Sequence, residues 1–129
     1  ERIHFHGMLT GDAKWGAFRA CEALILPSHQ ENFGIVVAEA MACARPVLIS
    51  NKVNIWREVE KAGAGLVDED TLEGARSLIQ RFYELSGDGR QALGAAGRRL
   101  FLESLEIGGT ARDMMRLFEE IQPMPQREA

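Results

Sequence analysis

Short runs of consecutive apolar residues constrain the fold of this chain more than any other feature. Residues 23–26 (ALIL) end at Pro27, and residues 47–50 (VLIS) directly follow Pro46. Neither run alternates between apolar and polar residues, which is typical of strands that are buried on both faces of a parallel sheet. Segments with helical periodicity separate these runs. Strand and helix therefore alternate, and the alternation predicts a layered α/β fold with a parallel sheet.

About four strands and six helices are predicted along the chain. The strands are expected at residues 2–6, 23–26, 47–50 and 65–67. The helices are expected at about residues 13–22, 35–43, 55–61, 72–85, 90–104 and 109–121, with a break at residues 87–89 (GDG). Residues 1–70 thus alternate strands and helices, and residues 71–129 add C-terminal helices to the same single domain.

Composition and charge narrow the class of protein. The 129 residues suffice for one domain with a core and are too few for two ordinary ones. The net charge of −4 argues against a broad nucleic-acid surface. No apolar run approaches the ~20 residues that cross a bilayer, and the first residues do not resemble a secretory signal. They already have the pattern of a strand, which is consistent with a start inside a longer protein.

The cysteines and histidines do not predict a metal site. Cys21 and Cys43 lie within apolar helical patterns, so we interpret them as reduced core residues of a cytoplasmic protein. His4 and His6 share one face of the first predicted strand, a spacing that can hold a metal. No third ligand is near them in sequence, and packing is the favoured interpretation.

Residues 27–42 (PSHQENFGIVVAEAMA) carry the clearest functional pattern. Glu31 is expected in the loop that follows a strand, and Glu39 one or two turns into the next helix. Between them, Gly34 allows a sharp turn, and the main-chain N–H groups of Gly34, Ile35 and Val36 are among the unpaired donors of a helix start. Such a helix start stabilises an anion, with a dipole contribution of ~0.3–1 kcal/mol at an exposed site.

The two glutamates must bind something other than the anion. A carboxylate accepts hydrogen bonds from hydroxyl groups, so the pattern predicts a ligand with hydroxyls on both sides of a phosphate. A nucleoside diphosphate sugar has this shape. Two glutamates at this spacing also arise by chance, and two solvated side chains are the alternative interpretation.

The same stretch resembles the signature of family 4 retaining glycosyltransferases. The resemblance rests on residues 27–28 (PS), residues 31–43 (ENFGIVVAEAMAC) and residues 46–47 (PV), and it extends to residues 5–7 (FHG), 57–59 (REV) and 63–67 (GAGLV). These enzymes have the GT-B architecture of two Rossmann-like domains. The resemblance therefore implies that residues 1–129 are a single partial nucleotide-sugar-binding domain, the C-terminal domain of a GT-B protein.

The resemblance also implies a role for each motif residue. Glu31 would contact the transferred sugar near the reacting centre as the catalytic residue. Phe33, Gly34, Ile35 and Val36 would bind the sugar and phosphates, and Glu39 would hold the ribose hydroxyls. The implied reaction is the transfer of a hexosyl group from a nucleoside diphosphate sugar to a sugar, lipid or polysaccharide acceptor, with no cofactor and no metal.

Other residues near the motif depart from the family pattern or are additional candidates. His29 lies in the motif loop, and Lys52 and Asn54 lie where many members have a glycine-rich loop on the phosphate side; each is a candidate donor-binding residue. Ala44 and Arg45 stand where the family favours glycine. A left-handed residue at that helix end costs ~1 kcal/mol or more when it is not glycine.

Several parts of the family's enzyme lie upstream of this sequence. The arginine and lysine that stabilise the leaving diphosphate, two strands and the N-terminal acceptor domain are not among the 129 residues. We therefore expect these residues alone to be inactive, or nearly so, and to bind donor weakly. Omission of two strands would leave a gap of ~10 Å or more between the strands at residues 2–6 and 23–26, so rearrangement, the upstream segment or another chain would have to close it.

Two functions therefore stay open at this point. The first is the donor-binding part of a glycosyltransferase of polysaccharide or glycolipid assembly, cytoplasmic or at the inner face of the membrane through the absent domain. The alternative is a non-catalytic nucleotide-sugar-binding or structural module that lacks the diphosphate-binding cations. The expected partners are the donor and the acceptor domain, not nucleic acid.

Overall fold

A parallel sheet of three strands is the central element of the residues that the computed structural model describes, 2–31 and 34–107. The strands are β1 (Leu24–Leu26), β2 (Val47–Ser50) and β3 (Gly65–Asp68), in the spatial order β1-β2-β3. Leu24 pairs with Val47, which in turn pairs with Gly65. The parallel α/β fold predicted from the apolar runs is confirmed, and these three strands lie within one residue of their expected bounds.

Five helices surround the sheet in the described residues. They are α1 (Gly11–Ala20), α2 (Ile35–Ala42), α3 (Trp56–Ala62), α4 (Leu72–Glu84) and α5 (Gly87–Ile107). The break expected at residues 87–89 falls instead at residues 85–86, because the hydroxyl of Ser86 accepts a hydrogen bond from the N–H of Gly89 at 3.0 Å and caps α5. The helix predicted at residues 109–121 lies outside the described residues.

The strand predicted at residues 2–6 is not present. These residues have no regular structure, and the side chains of Ile3 and Phe5 are 72% and 96% exposed. A strand forms only where a neighbouring strand pairs its N–H and C=O groups, and no strand of the described residues pairs with residues 2–6. The described residues therefore contain three strands rather than about four, and residues 2–6 do not close the expected gap by pairing with β1.

The core lies on both faces of the sheet. Val47 and Ile49 of β2 belong to a buried cluster with residues of α2 and α3, and Leu48 packs on the opposite face with Leu78 and Phe82 of α4. Adjacent residues of one strand point to opposite faces, so both sides of β2 are covered by helices. This explains the unbroken apolar run and gives the domain three layers.

Helix α5 approaches α2 closely. A Cβ atom at Gly94 would collide with the main-chain carbonyl oxygen of Ala44, and one at Gly97 would lie 3.2 Å from Cγ of Met41. Arg98 adds a hydrogen bond to the carbonyl oxygen of Ala42, at the C-terminal end of α2. The two helices therefore contact each other through their main chains at this end.

The described residues contain none of three patterns, namely a disulfide, a membrane-spanning helix and a metal-binding cluster. Cys21 and Cys43 are unpaired and half-buried, and burial raises the pKa of the Cys21 thiol. No helix in the described part of the chain is long and apolar enough to cross a membrane. Within residues 2–31 and 34–107, no cluster of three or more His, Cys, Asp or Glu side chains could hold a metal ion.

Candidate functional site

The loops that follow β1 and β2 are joined through their main chains. The N–H of Glu31 donates to the carbonyl oxygen of Lys52 at 3.3 Å, and the N–H of Asn54 donates to the carbonyl oxygen of Glu31 at 3.2 Å. Glu31 also forms an isolated parallel bridge with Val53. Three of the residues predicted for the site are thus brought together at the carboxyl ends of the strands, where α/β sheets bind ligands.

Ser50 is the buried polar residue that fixes these two loops. Its side chain is fully buried at the end of β2, and its hydroxyl donates to the carbonyl oxygen of Ser28. The same hydroxyl accepts a hydrogen bond from the N–H of Lys52 at 3.3 Å. Sequence reasoning missed this residue. The signal that could have revealed it is the one hydroxyl that ends an otherwise apolar, buried strand.

Gly34 starts α2 in the left-handed conformation, with φ of 54° and ψ of 45°. A side chain there would be strained, and its Cβ would lie 3.3 Å from Cγ1 of Val53. The first intrahelical bonds are those from Val37 and Ala38 to the carbonyl oxygen of Gly34, at 2.8 and 3.1 Å.

The N–H groups of residues 34–36 precede those first bonds, at the positions where a helix leaves its donors without intrahelical acceptors. Ile35 is 46% exposed, so this end of α2 is open to solvent. It can therefore receive an anion. Phe33, the other predicted backbone donor, lies outside the described residues.

Glu39 lies in the second turn of α2 and is paired with a residue that the sequence did not predict. Its Oε2 atom is 2.8 Å from Nζ of Lys14 in α1, and the two side chains are 13% and 37% exposed. The ammonium of Lys14 is thus the ion-pair partner of the buried Oε2 atom of Glu39. No local pattern could have revealed Lys14, because the pair joins the helix that precedes β1 in the sequence to the helix that follows it.

His29 is oriented by a residue of the third loop. Its Nδ1 atom is 3.0 Å from Oδ2 of Asp70, which follows β3. The hydrogen bond from His29 is the main cause that lowers the pKa of the Asp70 carboxyl, and the charge of Lys52 acts in the same direction. Asp70 thus contacts His29 and lies within the electrostatic reach of Lys52 at the carboxyl ends of the strands. Asp70 was not predicted, because nothing in its local sequence distinguishes it from a solvated loop carboxylate.

A groove at the other end of the sheet contains none of the predicted site residues. Its volume is about 520 Å³, and its lining includes Glu22, Arg45 and Arg90. The guanidinium of Arg90 is occupied there by the carbonyl oxygens of Phe82 and Tyr83. The predicted residues lie instead at the carboxyl end of the sheet, where Glu31 in a loop and Glu39 in a helix flank the start of α2.

Comparison with known proteins identifies the family. The family model described as glycosyl transferases group 1 matches residues 1–100. The chain belongs to the group 1 glycosyltransferases. This glycosyltransferase chain is 31% identical over 122 residues to a D-inositol 3-phosphate glycosyltransferase of Salinispora tropica, covering 93% of this chain and 25% of the relative.

Further relatives and one solved structure agree with this membership. A D-inositol 3-phosphate glycosyltransferase of Xylanimonas cellulosilytica is 39% identical over 89 residues, covering 67% of this chain and 20% of the relative. The sucrose-phosphate synthase of Thermosynechococcus elongatus superimposes with a TM-score of 0.63 at 28% identity, over 81% of this chain and 26% of that protein. This glycosyltransferase chain thus spans about a quarter of the length of the relatives that it matches.

Proposed function

We propose that this chain is the donor-binding part of a family 4 retaining glycosyltransferase of the GT-B type. Its substrate is a nucleoside diphosphate sugar, from which a hexosyl group passes to a sugar, lipid or polysaccharide acceptor. The observation that carries the proposal is the start of α2, where a left-handed Gly34 opens the helix between two carboxylates, Glu31 and Glu39. Membership in the group 1 family supports a glycosyl transfer role.

The ligand is oriented along α2 in this proposal. The diphosphate lies over the N–H groups of residues 34–36, where partial positive charge stabilises it. Glu31 accepts hydrogen bonds from the transferred sugar as the catalytic residue, and Glu39 accepts them from the ribose. Lys52, Asn54 and His29 border the same edge, and the hydrogen bonds of Ser50 hold the loop of His29 against the loop of Lys52 and Asn54.

Hexosyl transfer in this site would require fixed cations for the diphosphate and an acceptor domain in addition to the described residues. In the proposed reaction the anomeric bond to the diphosphate breaks while the bond to the acceptor oxygen forms on the same face. Fixed cations that stabilise the departing diphosphate are typically a large catalytic contribution. We therefore propose that activity belongs to the longer polypeptide, with the acceptor domain as partner, and that the 129 residues alone are inactive.

The cellular setting is part of the same proposal. The protein acts in the cytoplasm or at the inner face of the membrane, without cofactor or metal. The net charge of −4 supports a partner other than nucleic acid.

Thermal unfolding of the full-length polypeptide with UDP-, GDP- and ADP-sugars tests the donor site. At least one of these donors should raise the unfolding temperature, and Glu39→Gln should abolish the shift. The matched control is Glu60→Gln, which changes an exposed carboxylate of α3 and should leave the shift intact. If no nucleotide-sugar stabilises the wild type, the proposal is wrong. If donors bind and no hexosyl transfer occurs with any acceptor tested, the chain is the non-catalytic binding module instead.

A further inference from the structure

We infer that Asp70 is a positioning residue of the donor site, because it holds the imidazole of His29 so that the ring accepts a hydrogen bond from a hydroxyl of the transferred sugar. The inference rests on the proposed function, which places that sugar at Glu31. It brings the loop after β3 into the site, and it makes the contact specific for the sugar of the donor rather than for its nucleotide.

The contact between His29 and Asp70 joins loops from strands that are not neighbours. Nδ1 of His29 lies 3.0 Å from Oδ2 of Asp70, and the two residues are 41 positions apart in the sequence. His29 follows β1 and Asp70 follows β3, with β2 between these strands in the sheet. Neighbouring strands are about 4.8 Å apart, so the strand ends that the pair joins are roughly 10 Å apart. Asp70 thus links the last of the three loops to the loop that carries Glu31.

The carboxylate of Asp70 decides which ring nitrogen of His29 is open. A carboxylate only accepts hydrogen bonds, so Nδ1 carries the proton that is donated to Asp70. This hydrogen bond lowers the pKa of the Asp70 carboxyl, which keeps it ionised as the acceptor. In the neutral ring Nε2 is then an acceptor, and it has no hydrogen-bond partner in the part of the chain that the structure describes. The side chain of His29 is 85% exposed, so this nitrogen is open to a ligand.

The position of His29 favours the sugar over the diphosphate. It lies two residues before Glu31, a span of at most about 7 Å, whereas the phosphate end of the proposed site is at the start of α2. A sugar hydroxyl donates to Nε2, but an ionised phosphate oxygen only accepts hydrogen bonds. Glu31 and His29 are therefore two acceptors in one loop, which suits neighbouring hydroxyls of the transferred sugar.

A purely structural role for the pair predicts a different result. An exposed pair of this kind contributes little to folding, because solvent screens it. If the bond only tied two loops together, its loss would change the binding of a nucleotide and of its sugar conjugate equally or not at all. If Asp70 acts through His29 on the sugar, its loss weakens only the conjugate, and it has no further effect once the imidazole is removed.

Calorimetric titration of the full-length polypeptide with UDP-glucose, GDP-mannose and ADP-glucose, each compared with its nucleoside diphosphate, separates these cases. For the donor that binds, His29→Ala should weaken the nucleotide-sugar by about fivefold, as expected for one hydrogen bond, and the diphosphate by less than about twofold. Asp70→Ala should weaken the nucleotide-sugar by about threefold, and Asp70→Glu, which keeps a carboxylate, should restore part of this loss. The double variant His29→Ala/Asp70→Ala should match His29→Ala alone.

The control is Glu69→Ala, which removes an exposed carboxylate beside Asp70 and should leave both affinities unchanged. All variants should unfold within about 2 °C of the wild type, and a larger loss in Asp70→Ala would show a structural role instead. Equal weakening of nucleotide and nucleotide-sugar in Asp70→Ala, or no weakening, overturns the inference and leaves the proposed function standing. Additive losses in the double variant also overturn it. If the wild type binds none of these ligands, the proposed function and the inference are both wrong.

Discussion

Replacement of Ala44 by glycine should stabilise the domain. Ala44 is the only residue other than glycine with positive φ, at 54°, among residues 2–31 and 34–107. It ends α2 in a Schellman motif, in which the N–H of Arg45 donates to the carbonyl oxygen of Ala40 and the N–H of Ala44 to that of Met41, both at 2.9 Å. Glycine adopts this conformation without strain, and the resemblance to family 4 already pointed to glycine at this helix end.

Two opposing contributions set the size of the effect. A left-handed alanine costs roughly 1–2 kcal/mol relative to glycine in the folded state. Glycine loses more conformational freedom on folding, which costs roughly 0.5–1 kcal/mol. The difference predicts a gain of about 0.8 kcal/mol for Ala44→Gly, within limits of about 0–1.5 kcal/mol, and the central value is equivalent to about 2–5 °C in Tm for a domain of this size. The main-chain hydrogen bonds of the motif remain, because the substitution removes only a methyl group.

Thermal and urea unfolding of the variant and the wild type measure the gain. Ala92→Gly is the matched control, since Ala92 is exposed within α5 and loses the same methyl group. A glycine in a helix interior should lower stability by about 1 kcal/mol, so the two substitutions should have opposite signs. If Ala44→Gly is also destabilising, the strain argued for Ala44 is refuted.

Three further predictions concern the site. Ser50→Ala should lower the free energy of unfolding by about 1–3 kcal/mol in urea titrations, because two loop groups lose a buried partner, whereas Ser28→Ala keeps its carbonyl and should change it little. Gly34→Ala should cost about 1–2 kcal/mol in the same assay and should weaken nucleotide binding by calorimetry, because it strains the start of α2. His29→Ala should raise the pKa of Asp70 toward 3.8 in a carboxyl NMR titration. Because the pKa of Asp70 is depressed in the folded state, the ionised carboxylate stabilises the fold at pH values above its unfolded-state pKa, and this contribution is lost as the pH falls through the folded-state pKa. An unchanged titration of Asp70 in His29→Ala would show that His29 does not lower this pKa.

The fold could largely be predicted from local pattern. Unbroken apolar runs beside Pro27 and Pro46 identified β1 and β2. Burial on both faces explains the run of β2, whereas Ile25 of β1, at the edge of the described sheet, is 40% exposed. The strand predicted at residues 2–6 is wrong because a strand depends on its neighbours, which no local pattern records. The start of α5 was misplaced because glycines normally weaken helices, whereas the cap at Ser86 outweighs them here.

The candidate site divides in the same way. Glu31, Gly34 and Glu39 were predictable because the motif that holds them is continuous in sequence. The contacts of Lys14 with Glu39 and of His29 with Asp70 were not, because each joins two elements whose approach depends on the tertiary packing. These pairings set the arrangement of charges around the predicted site residues, which local sequence does not record.

The close approach of α5 to the C-terminal end of α2 couples the positions of the two helices. No side chain separates Gly94 from the carbonyl oxygen of Ala44, so a displacement of α5 at this point would be passed to the C-terminal end of α2. Eight residues of α2 span about 12 Å, so a tilt of about 5° at Ala44 displaces the Gly34 end by about 1 Å. A displacement of that size is enough to misalign a reacting group. A displacement of α5 at Gly94 would therefore reach the start of α2, which is the place of the phosphates in the proposed function.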